Sequence, residues 1–448
     1  MIRHLWVALV VVLGGTSEVL ATVASTAIYC QRYPKAAGCE SQQASCNICH
    51  GGPPSLNPYG EDLAEALTGP IDQTLLEALG KVENLDSDQD GVSNIVEISN
   101  AGAPGNRLIK PETNVELVYD TTLAYKRMKS VYCGQSATYD DMQRLKAAAD
   151  QKAFLHTELQ ACLDGTYWRN EALFRLADKK IQPQAALGFG GNVVIADYRW
   201  DYRLFAYIMS GDRDARELLS ATYHIDEAGN KVEGQIGRQE PAQTGQRIVI
   251  GGGQPLAANR RAGMMTTQWF LAFYTMFATL PRNTASQVYR EYLGMDIAKG
   301  EGLQPVVNEP RDVDNRNVRQ AECAVCHSTL DPLSYAFSTY VGIETVLALL
   351  FNSNGTYRGS RAPWEAQGQI MGQPATDLLD WADKARNSEA FKKNLAKMMF
   401  SQALSRDPMP HEKQEFDLLW QGLPADKYSV NKMLHRFVDT TAFGGRRP

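Results

Sequence analysis

The 448-residue chain is poor in histidine and cysteine, with seven and eight respectively, and it has no uninterrupted apolar run long enough for a bilayer span of about 20 residues. Positive charge is not in excess. Forty-five Lys and Arg stand against 51 Asp and Glu, a net charge of -6 and a pI near 5.8. That balance excludes nucleic acid and anionic membrane surfaces as the main partner, since both reward a basic face, and suits a basic partner instead. Strand-like alternation is scarce, which argues against a β architecture. The glycine-rich strip IVIGGGQPLAANRR lacks the spacing of a phosphate-binding fingerprint and reads as a loop. No internal repeat is present, and no acid, base or nucleophile cluster stands out. What remains is 44% hydrophobic and 21% charged, the composition of a soluble globular protein. The length asks for two or three domains.

The first two dozen residues combine Arg3 and His4 with the apolar run LWVALVVVL and the small-residue stretch EVLATVAS. This order predicts a secretory signal peptide over residues 1–24, cut near Ala21 to Ser25, with the mature protein periplasmic or extracellular. AIYC before Cys30 lacks the small residues of a lipoprotein signal. In an oxidising compartment the even number of cysteines left after the two strings described next, Cys30, Cys39, Cys133 and Cys162, fits two disulfides. Nearness in sequence pairs Cys30 with Cys39 and Cys133 with Cys162.

CNICH at 46–50 and CAVCH at 323–327 each set two thiols one helical turn apart with a histidine directly after the second. Two such thiols can add to the two vinyl groups of one haem, and the histidine then lies beneath the iron. A redox CxxC pair or half a zinc site would not require that histidine. One CxxCH by chance in this composition is roughly a few in a thousand, so two strings predict two covalent haem c groups, at Cys46, Cys49 and His50 and at Cys323, Cys326 and His327.

The opposite face of each iron is less legible. Between Ala21 and Arg127 no His or Met occurs apart from His50, so the first haem must draw a common sixth ligand from elsewhere. Met128 and His156 are the nearest candidates, Tyr59 and Asn57 are weaker ones, and an open position is another alternative. For the second haem the candidates are Met371, Met398, Met399, Met409, His411, Met433 and His435. Met371 sits in the glycine-flanked loop GQIMGQP, suited to bringing a thioether over a haem, whereas Met398 and Met399 fall in a helical pattern that reads as core.

DSDQDGVSNIVE, residues 86–97, has the pattern of a calcium loop. Asp86, Asp88 and Asp90 occupy positions 1, 3 and 5, Gly91 the sharp turn, Val92 offers its carbonyl at position 7, and Glu97 can close bidentately at position 12. Ser93 replaces the apolar residue usual at position 8 and no second loop is nearby. One structural Ca2+ is expected, not a paired sensor.

Periodicity predicts a mainly α protein, with two cytochrome c-like haem units joined by a helical middle region and long irregular connections. The expected units are 25–110 with the first haem and the calcium loop, 111–255 in the middle, and 256–448 with the second haem. QRLKAAADQKAFLHTELQACL and DARELLSATYHI read as helical. GMMTTQWFLAFYTMFATLP reads as a buried apolar helix.

The runs RRAGMMTTQWFLAFY, LPRNTASQVYREYLGMDI, CAVCHSTLDPLSYAF and LAKMMFSQALSRDPMPHEKQEFDLLW resemble the uncharacterised cytochrome-type domains of large c-type haem proteins from Planctomycetes and related bacteria, over about the last 190 residues. In that family a DPL-like segment follows the haem histidine, matched here by Asp331, Pro332 and Leu333. Ser334 stands where glycine is frequent, and TYVGIETV replaces an acidic stretch. RELLSATYH is weakly similar to the domain that precedes these, and the CNICH unit to monohaem segments of exported bacterial cytochromes. The resemblance implies haem and export but no reaction. Three functions follow as expectations: electron transfer between redox-protein donors and acceptors, a haem enzyme of the dihaem peroxidase or oxygenase kind with one open iron, or a cytochrome subunit of a membrane-associated or extracellular complex. The wide separation of the strings weighs against a standard dihaem peroxidase.

Overall fold

The computed structural model describes residues 23–446 except 37–38, 40–45, 53–54, 101, 110, 112–116, 182–192, 195, 235–247, 250–251, 276–279, 298–302, 304–305, 314 and 341–366. The expected leader therefore lies outside the described residues, apart from Val23 and Ala24. The protein is mainly helical; the described strands are two or three residues long and form five two-stranded sheets. No helix among the described residues is long and apolar enough to cross a membrane.

Helices α1 (Val23–Arg32), α2 (Pro58–Ala66), α3 (Ile71–Val82) and α4 (Asn94–Ser99) enclose a small core that includes Tyr29, Tyr33, Tyr59, Leu63, Leu79 and Ile98. An α-helix this short is marginal alone, and side-chain ties make up the difference. Tyr33 Oη donates to the Leu79 carbonyl at 3.2 Å, and Arg32 pairs with Glu83 at 2.8 Å, so α1 is clasped to α3. Cys30 and Cys39 lie at disulfide distance, with Cα atoms 5.0 Å apart.

Among the described residues that follow, a second, larger core draws on positions from Ala124 to Phe443. It holds α5 (Thr121–Cys133), α6 (Tyr139–Ala147), α7 (Gln151–Asp164), α8 (Leu173–Ile181) and α9 (Arg199–Ile208), then α10 (Gln268–Phe270), α11 (Arg282–Val288) and α12 (Ala321–Ser334). The last helices are α13 (Leu378–Asn387), α14 (Glu389–Leu404), α15 (Lys413–Gln421), α16 (Val430–Phe437) and α17 (Thr441–Gly444). Trp168 before residue 255 and Trp269, Trp381 and Phe400 after it all share this core. The chain end also returns to the start of the middle region. Strand β3 (Val118–Tyr119) pairs antiparallel with the last strand (Gly445–Arg446), Tyr119 Oη donates to the Val438 carbonyl at 2.7 Å, and Cys133 lies at disulfide distance from Cys162, Cα to Cα 4.8 Å.

Three helical expectations break where side-chain oxygens compete with the helix. QRLKAAADQKAFLHTELQACL divides into α6 and α7 because Asp150 caps Ala153 N at 2.9 Å. DARELLSATYHI is one 3₁₀ segment, Ala215–Leu219, followed by a strand at His224–Ile225. In GMMTTQWFLAFYTMFATLP the buried Thr266 hydroxyl accepts from Ala262 N at 2.8 Å. Thr267 caps Phe270 N at 3.2 Å and donates to the buried Asp201 at 2.6 Å. The outcome is a 3₁₀ turn (Gly263–Thr266), a single turn of α-helix and a π-helical stretch (Leu271–Thr275), buried nearly throughout.

Candidate haem-attachment and cation sites

Cys323, Cys326 and His327 lie at i, i+3 and i+4 on α12, so all three project from one face. Cys323 is half-buried, Cys326 is exposed, and the His327 side chain is 26% exposed. One turn further along, Asp331 is fully buried, and its Oδ1 accepts from His327 Nδ1 at 2.9 Å. Asp331 also receives Arg282 of α11, Nε to Oδ1 at 2.6 Å and Nη2 to Oδ2 at 2.8 Å. A carboxylate accepts only, so the proton of the imidazole sits on Nδ1 and Nε2 is left as the atom able to bind a metal. This is how carboxylates orient metal-bound histidines in general. Two thiols and an oriented imidazole on one face fit covalent haem. Ser334 is fully buried with no partner for its hydroxyl among the described residues; most of TYVGIETV, from Val341 on, lies outside them.

The first string is held differently. Cys46–Ile48 forms a 3₁₀ turn and His50 opens strand β1 (His50–Gly52), which pairs with β2 (Ser55–Leu56). Nothing is described of the Cys46 side chain. Asn57 is the organiser: its backbone N–H donates to the Cys49 carbonyl at 2.9 Å, and its Nδ2 donates to Asn47 O at 3.1 Å and Ile48 O at 2.9 Å. Its Oδ1 meanwhile caps α2 by accepting from Gly60 N at 2.8 Å. A Cβ on Gly60 would stand 2.0 Å from the Cys49 carbonyl oxygen, so only glycine lets helix and string approach. Asn57 is thus committed to the string's backbone, and Tyr59 is fully buried in the small core, where burial pushes its hydroxyl pKa far up. Neither is offered to a haem as the sequence reading allows. His50 Nδ1 is buried without a hydrogen-bond partner among the described residues, in contrast to His327.

The other distal candidates scatter. Met128 is fully buried in the large core, with Sδ 3.8 Å from Cys162 Sγ. His156 on α7 faces His435 on α16, Nδ1 to Nδ1 at 2.8 Å, and its Nε2 lies 3.0 Å from Asp439 Oδ1. Met371 forms the turn between strands Gly368–Ile370 and Gln373–Ala375 with φ 47°. That hairpin packs on the end of α12, where a Cβ on Gly368 would meet Pro332 O at 2.6 Å. Met409 is exposed, His411 lines a cleft of about 440 Å³ with Lys35 and Asn100, and Met399 and Met433 are core residues. Met398 is half-buried.

Between α3 and α4 the acidic loop folds as an oxygen cage. One carboxylate oxygen from each of Asp86, Asp88 and Asp90 lies within 4.8 Å of the others. Gly91 turns the loop with φ 94°, and Asp86 accepts from the N–H groups of Asp90 and Gly91 at 3.0 and 2.8 Å. Both oxygens of Asp88 and both of Glu97 are buried with no hydrogen-bond partner among the described residues. Leaving buried carboxylate oxygens unpaired costs several kcal/mol, and a hard cation ligated by oxygens removes that cost. Burial first, then the three aspartates, pushes Glu97 up to about 8. Burial and then Asp90 raise Asp88. Asn94, at loop position 9 and fully buried, is pinned by Nδ2 to the Val82 carbonyl at 2.8 Å, locking the cage to α3.

No family model, no curated protein and no solved structure matches this chain. The residues alone carry the functional argument.

Proposed function

We propose that this protein is an exported dihaem c-type cytochrome that passes electrons between redox-protein partners, with one Ca2+ bracing its first unit. The observation that carries the reading is the His327–Asp331–Arg282 chain beside two thiols on one helical face. A haem bound at each string supplies a one-electron iron couple whose potential follows axial ligation, hydrogen bonding and burial. His327 would bind the iron through Nε2, with Asp331 holding the proton on Nδ1 and Arg282 holding the carboxylate in place. Asp86, Asp88, Asp90, the Val92 carbonyl and Glu97 would hold the cation.

The test is intact mass together with optical and EPR spectra of the natively produced protein. Two haem adducts and two low-spin irons are expected; an unmodified polypeptide or a single adduct overturns the reading. A second reading, a haem enzyme with one open iron, rests on the absence of His and Met near His50. A high-spin iron that binds cyanide or peroxide would favour it.

A further inference from the structure

His156 of α7 and His435 of α16 lie 279 residues apart in the chain and meet head to head, Nδ1 to Nδ1 at 2.8 Å. Their ring planes differ by 12° and their centroids are 5.1 Å apart. Taking 2.8 Å from 5.1 Å leaves about 2.3 Å, two imidazole radii, so both nitrogens lie on the line between the centroids and their lone-pair directions oppose each other. The outer nitrogens fix the protons. His156 Nε2 lies 3.0 Å from Asp439 Oδ1, and a carboxylate only accepts, so that nitrogen carries a proton. His435 Nε2 lies 3.1 Å from Gln160 Oε1. The Gln160 amide is oriented by its own donation from Nε2 to Asp164 Oδ2 at 2.8 Å, so His435 Nε2 is protonated as well. Two neutral rings would then set lone pair against lone pair. One further proton between them turns that repulsion into a charge-assisted N–H···N hydrogen bond.

We propose that His156 and His435 share one proton, and that this imidazolium–imidazole bridge is a pH-operated clasp holding α16 and the chain end to α7. Asp439 balances its charge and is also met by Lys152 at 3.0 Å. Asp212, which Lys432 approaches at 3.8 Å, is the other carboxylate whose field reaches His435. Glu158, two residues along α7, is engaged by Lys129 and Arg144 at 3.5 and 3.3 Å. The clasp has two limits. As pH rises, loss of the shared proton leaves the lone pairs opposed; as pH falls, a second proton sets two cations and two N–H groups against each other. Burial and then His156 lower the pKa of His435, which resists that second proton. The residues after His435 carry the Val438 carbonyl that binds Tyr119 and lead to the last strand, so the clasp secures the joint between the chain end and Val118–Tyr119. All four ring nitrogens are spent within it, which leaves neither histidine for an iron and makes the inference independent of haem.

The experiment is amide hydrogen exchange of the natively produced full-length protein, in saturating Ca2+ so that the acidic loop contributes no proton-linked change. Residues 430–437 of α16 are the reporters. After correction for the intrinsic pH dependence of exchange, their protection should peak near neutral pH and fall about tenfold toward about pH 5, the worth of one charge-assisted hydrogen bond. In His156→Gln, His435→Gln and the double variant, protection should be equally reduced, without additivity, and independent of pH. Additive losses, or a pH dependence that survives either substitution, overturn the clasp. Should the variants fold poorly, NMR of the native protein with 15N-labelled histidine decides. Protonated Nε2 on both rings and one proton coupled to both Nδ1 nitrogens support the shared proton; a bare Nε2 on either ring rejects it.

Discussion

Asp331 holds His327 through a 2.9 Å hydrogen bond one turn along the same helix, and does so while fully buried and gripped by Arg282. Asp331→Asn keeps the shape and removes the charge behind the imidazole. On the dihaem reading proposed above, the potential of the haem at His327 should rise by roughly tens of millivolts, the direction set by a less electron-rich histidine ligand. Protein-film voltammetry reads this. Asp331→Ala additionally leaves Arg282 without its counter-ion and should destabilise the fold by up to about 3 kcal/mol in denaturant titration.

The cation cage gives a pH dependence with a definite sign. Glu97 is raised from 4.5 to about 8, so in chelator the folded protein holds a proton there that the unfolded chain has lost. Stability without cation is fully present below about pH 4.5 and declines as pH rises toward about 8. Added Ca2+ competes with that proton and should restore about 3 kcal/mol at a hundredfold excess over Kd near neutral pH. Glu97→Gln should flatten the pH slope in chelator and abolish the response to Ca2+. Thermal melts with and without chelator check both; an unchanged melt argues against the cage.

The Cys133–Cys162 pair closes the longer of the two loops, a separation of 29 residues against nine for Cys30–Cys39. Chain entropy puts its loss at about 3.5 kcal/mol and that of the shorter loop at about 2.5 kcal/mol. Cys133→Ser with Cys162→Ser should therefore lower the urea midpoint more than the corresponding Cys30 and Cys39 pair of changes.

His435 on α16 accepts or donates at Nδ1 to His156 on α7, and its Nε2 lies 3.1 Å from Gln160 Oε1. Burial first, then His156, lowers its pKa from 6.5. A lowered folded pKa means stability present above pH 6.5 is lost as pH falls below it. His435→Gln should cost about 1 kcal/mol at neutral pH and remove part of that acid sensitivity, measured as the pH dependence of the denaturation midpoint.

Much of the local chemistry was readable in the chain itself. The acidic loop is contiguous, so its spacing alone brought Asp86, Asp88 and Asp90 together, and nearness in sequence sufficed to bring the four remaining cysteines to disulfide distance in two pairs. Asp331 lies four residues after His327, a spacing that helix geometry turns into contact. Arg282 is 49 residues from Asp331, and no local rule connects them. Asn57 read as a weak ligand because its side chain could not be seen bridging Asn47, Ile48 and Gly60. The apolar run after Arg261 reads as a single helix because periodicity does not count the buried threonine hydroxyls that interrupt it.

Covalent chemistry and short-range geometry belong to chain order: two thiols and an imidazole within five residues, four carboxylates within twelve. Which surfaces meet is decided by packing, because burying apolar area is non-directional and rewards whatever segments can be brought together. Only the folded chain brings Met398 and Asn47 to one cleft, lays the last strand against Val118 and Tyr119, and gathers described residues as far apart as Ala124 and Phe443 in one core.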